Sequence, residues 1–99
     1  MRISSEQADT IRDVVRSTLG PGARVHLFGS RVDDAARGGD IDLFVEVDEP
    51  LANRAASASR IAAQCQLRLG DQRIDVVLAD PTTPPRPIHA RAREAGILL

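Results

Sequence analysis

Three aspartates and a Gly-Ser pair are the residues of this chain whose types and spacing could do chemistry. Asp40 and Asp42 lie two positions apart in the run Asp40-Ile41-Asp42-Leu43-Phe44-Val45-Glu46-Val47. In an extended strand that spacing puts both carboxylates on one face, with Cα atoms roughly 6.5 to 7 Å apart. Core packing does not account for such a pair. At about 5 Å and an effective dielectric near 20, two carboxylates repel by on the order of 3 kcal/mol, and a bound cation reverses the sign of that interaction. Hard ions such as Mg²⁺ take a few carboxylates together with phosphate oxygens. Asp75 is the third carboxylate, set inside the aliphatic run Arg73-Ile74-Asp75-Val76-Val77-Leu78. A charge there is costly unless it is paired or metal-bound.

Gly29-Ser30 ends another apolar run, Arg24-Val25-His26-Leu27-Phe28. A glycine at the end of a strand lets backbone approach a ligand closely, and the first turn of a following helix offers unpaired N–H groups to an anion. Ser30 adds a hydroxyl donor, and Arg31 adds positive charge for the same phosphate. An N–H-rich corner beside a carboxylate cluster is a layout for a divalent cation carrying a triphosphate. Blander roles stand beside these. Asp40 and Asp42 fit a solvated strand face, Asp75 fits a partner for Arg73, Arg31 fits a brace to Asp33 or Asp34, and Ser30 fits an N-cap.

The elements that must position these groups can be read from periodicity. Ser4 and Gln7 form a capping box ahead of Ala8, Ile11, Val14, Val15 and Leu19, which repeat at helical spacing until Gly20-Pro21-Gly22 stops them. A strand ends at Phe28, and a short helix is expected over 30–36 before Gly38-Gly39 turns the chain into the second strand. That strand places Ile41, Leu43, Val45 and Val47 on one face and Asp40, Asp42, Phe44 and Glu46 on the other. Pro50 is expected to open a long helix whose stripe runs Leu51, Ala55, Ala58, Ala62, Cys65 and Leu69, with Gly70 as the stop. Residues 73–78 form the third strand, Ala79 to Pro87 is an irregular connection, and Pro87 to Ala95 forms a last helix ended by Gly96. His26 reads as a hydrogen-bonded core histidine, His89 as part of a surface helix, and Cys65 as an inert core thiol. The order predicts an α+β fold, a small mixed sheet with helices packed on it.

Composition narrows the classes. Ninety-nine residues at 42% hydrophobic predict one domain spanning 1–99. All 13 basic residues are Arg, and 14 acids bring the net charge to -1. With Phe28 and Phe44 as the sole aromatics, nucleic-acid binding is not expected. A lone cysteine, no secretory leader and no apolar run near the roughly 20 residues of a membrane span point to a reducing cytoplasm, without a membrane role.

The string Phe28-Gly29-Ser30-Arg31, then Gly39-Asp40-Ile41-Asp42-Leu43 and a later Ile74-Asp75-Val76, resembles the DNA polymerase β-type nucleotidyltransferase superfamily, and within it the minimal nucleotidyltransferase group. Nine residues separate Ser30 from Asp40, one fewer than the commonest spacing there. The resemblance implies that Gly29 and Ser30 contact the triphosphate, that Asp40 and Asp42 bind two metal ions, and that Asp75 completes the site and helps activate the attacking hydroxyl. It implies Mg²⁺, with Mn²⁺ as an alternative, and ATP as the substrate. It also implies a partner, because minimal members are typically paired with a HEPN-domain RNase toxin, which they modify as antitoxins by attaching AMP to a tyrosine. With the chain taken up by the catalytic core, acceptor recognition is expected from that partner, in an oligomer with it. The alternatives are transfer to a small molecule such as an aminoglycoside, and a non-catalytic antitoxin acting by occlusion.

Overall fold

The computed structural model describes residues 3–29, 40–70 and 72–99. Helix α1 spans Ser5–Leu19 and begins with the capping box read from the sequence: Ser4 Oγ accepts from the Gln7 backbone N–H, and Gln7 Oε1 accepts from that of Ser4. Its apolar stripe, Ala8, Ile11, Val14 and Val15, is buried. Strand β1 follows at Arg24–Phe28 and β2 at Ile41–Glu46. Helix α2 spans Arg54–Leu69, β3 Ile74–Ala79, α3 Pro87–Ala95 and β4 Ile97–Leu98. The sheet has the order β3-β2-β1-β4. β1 pairs antiparallel with both β2 and β4, and β2 pairs parallel with β3. A parallel pair needs a long crossover, and α2 supplies it. The result is an α+β fold with a mixed four-stranded sheet, as the residue pattern predicts.

One expectation about the elements is revised, and one strand is added. Pro50 does not open α2. The helix starts at Arg54, where Asn53 caps it by accepting from the Ala56 N–H. Residues 50–52 lie outside the helix, and the Leu51 N–H donates to Asp80 Oδ2 at 2.8 Å. The C-terminal Ile97-Leu98 adds a strand to the free edge of β1. Gly96 makes that approach possible, since a Cβ there would lie 3.0 Å from the Leu27 carbonyl oxygen of β1 and 2.1 Å from that of Ala92 in α3.

β2 divides the molecule into two faces. Ile41, Leu43 and Val45 are fully buried against α1 and α2, in a core that includes Val25, Leu27, Ile61, Cys65, Ile74 and Leu78. Asp42, Phe44 and Glu46 point the other way, toward a second cluster of Phe44, Ala79 and Ala92 with Phe28 and Val77 packed on it. α3 covers the part of this face around Phe44. Among the described residues, no helix is long and apolar enough to cross a membrane.

Candidate active site

The acids occupy the entry end of the parallel pair. Asp42 is the register partner of Asp75 across β2 and β3, and of Phe28 across β1 and β2. In-register residues project to the same side of a sheet, so Asp42 and Asp75 share a face. Asp40, two residues before Asp42 and adjacent to the start of β2, belongs to that face as well. Asp42 therefore stands at the centre, flanked by Asp75 and Asp40, with the end of β1 on its other side.

Gly29 closes that side. It has φ +77, a left-handed conformation, and a Cβ placed on it would lie 2.4 Å from Asp42 Oδ2. Both the conformation and the approach require glycine at this position. Its function here is thus defined by contact: the β1 terminus closes directly on the Asp42 carboxylate. Ser30 and Arg31, expected to meet the phosphates, lie outside the described residues, as do Asp33, Asp34 and the expected helix over 30–36.

Electrostatics match the geometry. The Asp42 carboxyl is held above the usual carboxylate range by partial burial first, then by the negative charges of Asp75 and Asp40, with Arg73 opposing. Arg73 is on the same face as Asp75, and its Nε lies 3.7 Å from Asp75 Oδ1. The Asp75 side chain is 50% exposed in that contact, so the pair is a loose surface one. The pairing with Arg73 read as the alternative role of Asp75 thus exists beside its alignment with Asp42. Among the described residues, no three of His, Cys, Asp and Glu are gathered to hold a metal ion as their side chains stand. Chemically the donors suit a hard divalent cation: three carboxylates on one face, the central one disfavoured as an anion by its neighbours.

Beyond the acids the face turns aromatic and cationic. Phe44, at 1% exposure, is stacked by His89 at 5.3 Å between ring centroids, and the Arg93 guanidinium lies 5.4 Å from the Phe44 centroid. Arg93 Nη2 also pairs with Glu46 Oε2 at 2.9 Å. His89 is 4% exposed, so it does not belong to a surface helix face as its place after the prolines suggested. Burial, then Arg93 and Arg86, lowers its pKa against the opposing pull of Glu46. His26 lies 6.2 Å from the Phe44 ring, and its buried Nδ1 has no hydrogen-bond partner among the described residues, contrary to a hydrogen-bonded core histidine.

Asp80 was not legible as important. It is 7% exposed and ties the end of β3 to the loop before α2. Its carboxylate accepts from the Leu51 and Thr82 N–H groups and from the Thr82 and Thr83 hydroxyls. These bonds hold its carboxyl well below the usual range, the Leu51 N–H most of all. The local signal was Asp80-Pro81-Thr82-Thr83, a turn-forming sequence in which a short carboxylate bonds backbone two residues on.

No curated protein sequence matches this chain. Residues 8–94 match the family described as Nucleotidyltransferase domain. The match runs from the first buried residue of α1 almost to the end of α3, and so takes in both strands that carry the aspartates. The chain belongs to the nucleotidyltransferase domain family, in the polymerase β-like superfamily.

Proposed function

We propose that this nucleotidyltransferase moves AMP from ATP to a hydroxyl of a partner protein, and that it does so as the antitoxin of a HEPN-domain RNase toxin in the cytoplasm. One observation supports the chemistry above the rest: Asp42 stands in register with Asp75 while Gly29 presses on its carboxylate. The partner and its modification rest on the resemblance of the Gly29-Ser30, Asp40-x-Asp42 and Asp75 motifs to minimal nucleotidyltransferases.

In this reading Asp40, Asp42 and Asp75 are the residues that would hold Mg²⁺, with Asp75 giving up its contact with Arg73. Such a cation would supply charge to offset the triphosphate and to lower the pKa of the incoming hydroxyl. Gly29 and Ser30 present backbone N–H groups and a hydroxyl to the phosphates, and Arg31 adds charge. The acceptor oxygen forms a bond to the α-phosphorus, the α–β anhydride bond breaks, and pyrophosphate leaves in line. Asp75 receives the acceptor's proton. Arg73, released from Asp75, would remain on the same face as a cation for a phosphate oxygen.

Incubating the chain with the HEPN-domain protein, Mg²⁺ and ATP tests the reading by intact mass. A gain of one AMP on the partner is expected. No gain with any nucleoside triphosphate, in Mg²⁺ or Mn²⁺, refutes transfer to protein.

A further inference from the structure

The outer face of α2, on the side of the sheet away from the aspartates, is built unlike the rest of the surface. Leu67 stands 79% exposed near its C-terminal end. The residues that precede it on one flank, Ala63 and Ser59, are small and exposed, so the surface is low on that side. Arg60, Gln64 and Arg68 form the neighbouring stripe at steps of four, with the two arginines roughly 12 Å apart along the axis. They line a groove of about 430 Å³ against Ser17 and Thr18 of α1. The charge is one-sided: α2 carries Arg54, Arg60 and Arg68 and not one carboxylate, in a chain with 14 acidic residues. Among the described residues, the sole ion pair on that stripe is the exposed contact of Arg68 with Asp13 at 3.8 Å, which a competing carboxylate can displace.

We propose that this face docks an acidic helical segment of a partner protein, with Leu67 as the apolar anchor and Arg60 and Arg68 paired to its carboxylates. Small residues let a helix backbone approach closely, and a groove between two helix ridges accepts a third helix. Carboxylates at i and i+7 or i+8 of that helix match the arginine spacing. A second copy of the chain fits less well, because a two-fold contact sets α2 against α2, and that helix brings arginines and no carboxylate of its own, Asp13 of α1 being already paired with Arg68. A nucleic acid leaves Leu67 without a partner and meets no aromatic side chain on this helix. The docking has a consequence for the acids. A second groove, of about 710 Å³, runs from Leu67 past Gly70 to Arg73, and Arg73 touches Asp75. A segment seated at Leu67 thus lies at one end of a groove whose other end is Arg73, the residue that contacts Asp75. The inference goes beyond nucleotidyl transfer and holds whether or not the docked protein is the acceptor.

The test uses a synthetic amphipathic helical peptide with a central Leu and Glu at i and i+8, and its Glu→Gln counterpart, titrated into the ¹⁵N-labelled chain. Saturable amide shifts confined to residues 59–69 and the facing end of α1 are expected with the Glu peptide, and binding about tenfold weaker with the Gln peptide. Leu67→Asp and the pair Arg60→Glu with Arg68→Glu abolish binding, while a Lys-for-Glu peptide restores it to the doubly substituted chain. These residues are exposed, and an unchanged far-ultraviolet circular dichroism spectrum shows that the variants fold. Absent shifts, shifts elsewhere, or equal binding of the Gln peptide overturn the proposal. So does concentration-dependent dimerisation that Leu67→Asp removes, because the face then belongs to a second copy.

Discussion

Gly29→Ala is the substitution that asks most of the site's geometry. Two costs follow from the structure. Alanine must adopt φ +77, and an L-residue in the left-handed region costs roughly 1 to 2 kcal/mol. Its Cβ also arrives 2.4 Å from Asp42 Oδ2 and 3.3 Å from Asp42 Cγ, the first about 1 Å inside ordinary contact. Overpacking of that kind costs about 1 to 3 kcal/mol. Together they predict a loss of roughly 2 to 5 kcal/mol, which at about 4 to 8 °C per kcal/mol for a domain of this size lowers Tm by on the order of 10 °C or more. The assay is urea unfolding in EDTA at pH 7 for a double-mutant cycle of Gly29→Ala and Asp42→Ala. Removing the Asp42 carboxylate takes away the clash and leaves the backbone cost, so the cycle should show coupling of about 1 to 3 kcal/mol. Additive effects within about 0.5 kcal/mol refute the contact. A Gly29→Ala chain as stable as the parent refutes both terms and, with them, the closure of β1 on the acidic centre.

Asp42→Asn should raise the Tm of the metal-free chain at pH 7: the folded pKa of Asp42 is above its unfolded value near 3.9, so its ionisation opposes folding as pH rises through the carboxylate range, and the gap between variant and parent closes below about pH 4. The same variant loses both transfer and the Mg²⁺-dependent rise in Tm, each measured by titrating MgCl₂ against a fluorescence melt. His89, held neutral by burial, has its folded pKa below the unfolded value near 6.5, so its contribution is present above that value and is lost as pH falls through the window beneath it; His89→Phe flattens stability between pH 7 and pH 5. Asp80→Ala lowers Tm at pH 7, and because the folded pKa of Asp80 is depressed, the deficit is full above the unfolded pKa near 3.9 and shrinks in stronger acid. Cys65, fully buried with its thiol pushed up to about 11, does not react with a disulfide reagent in the native chain and reacts fully in denaturant, as absorbance of the released thiolate reports.

Much of the molecule is legible in residue order where a local rule and a global one agree. The capping box at Ser4 and Gln7, the alternation of β2 and the stripe of α1 each satisfy propensity and burial together. The α2 boundary differs because Asn53 caps the helix by accepting from the Ala56 N–H, a stronger local start than Pro50, while the preceding Leu51 N–H is held by Asp80, 29 residues away. β4 is two residues long and exists through pairing with β1, so it carries too little pattern to be read in isolation. His89 misled because its environment comes from Phe44 on a strand distant in sequence. At the candidate site, the acids were legible because strand periodicity gives direction. Their neighbour Gly29 was legible as a corner, but its contact with Asp42 required the register of β1 on β2.

That register also explains how so small a domain tolerates an acidic cluster. The residues of β2 alternate, so each carboxylate on the open face is backed by an aliphatic side chain on the other: Ile41, Leu43 and Val45 are all at 0% exposure. Burying three such side chains contributes at most about 5 to 9 kcal/mol, against a carboxylate repulsion of on the order of 3 kcal/mol. Arg73 offsets part of that repulsion, through its contact with Asp75 and its opposing effect on Asp42, and the buried face of the strand anchors the acids that remain on the open one. Asp75 gains the same support from Ile74 and Leu78, buried in that same core. An acidic trio placed on loops would instead have to be ordered by its ligand at the cost of backbone entropy. Asp42 and Asp75 lie on two paired strands, with Asp40 just before the first of them, so the register of the sheet sets the spacing of that central pair before any substrate arrives, a preorganisation of the kind that transfer at phosphorus requires.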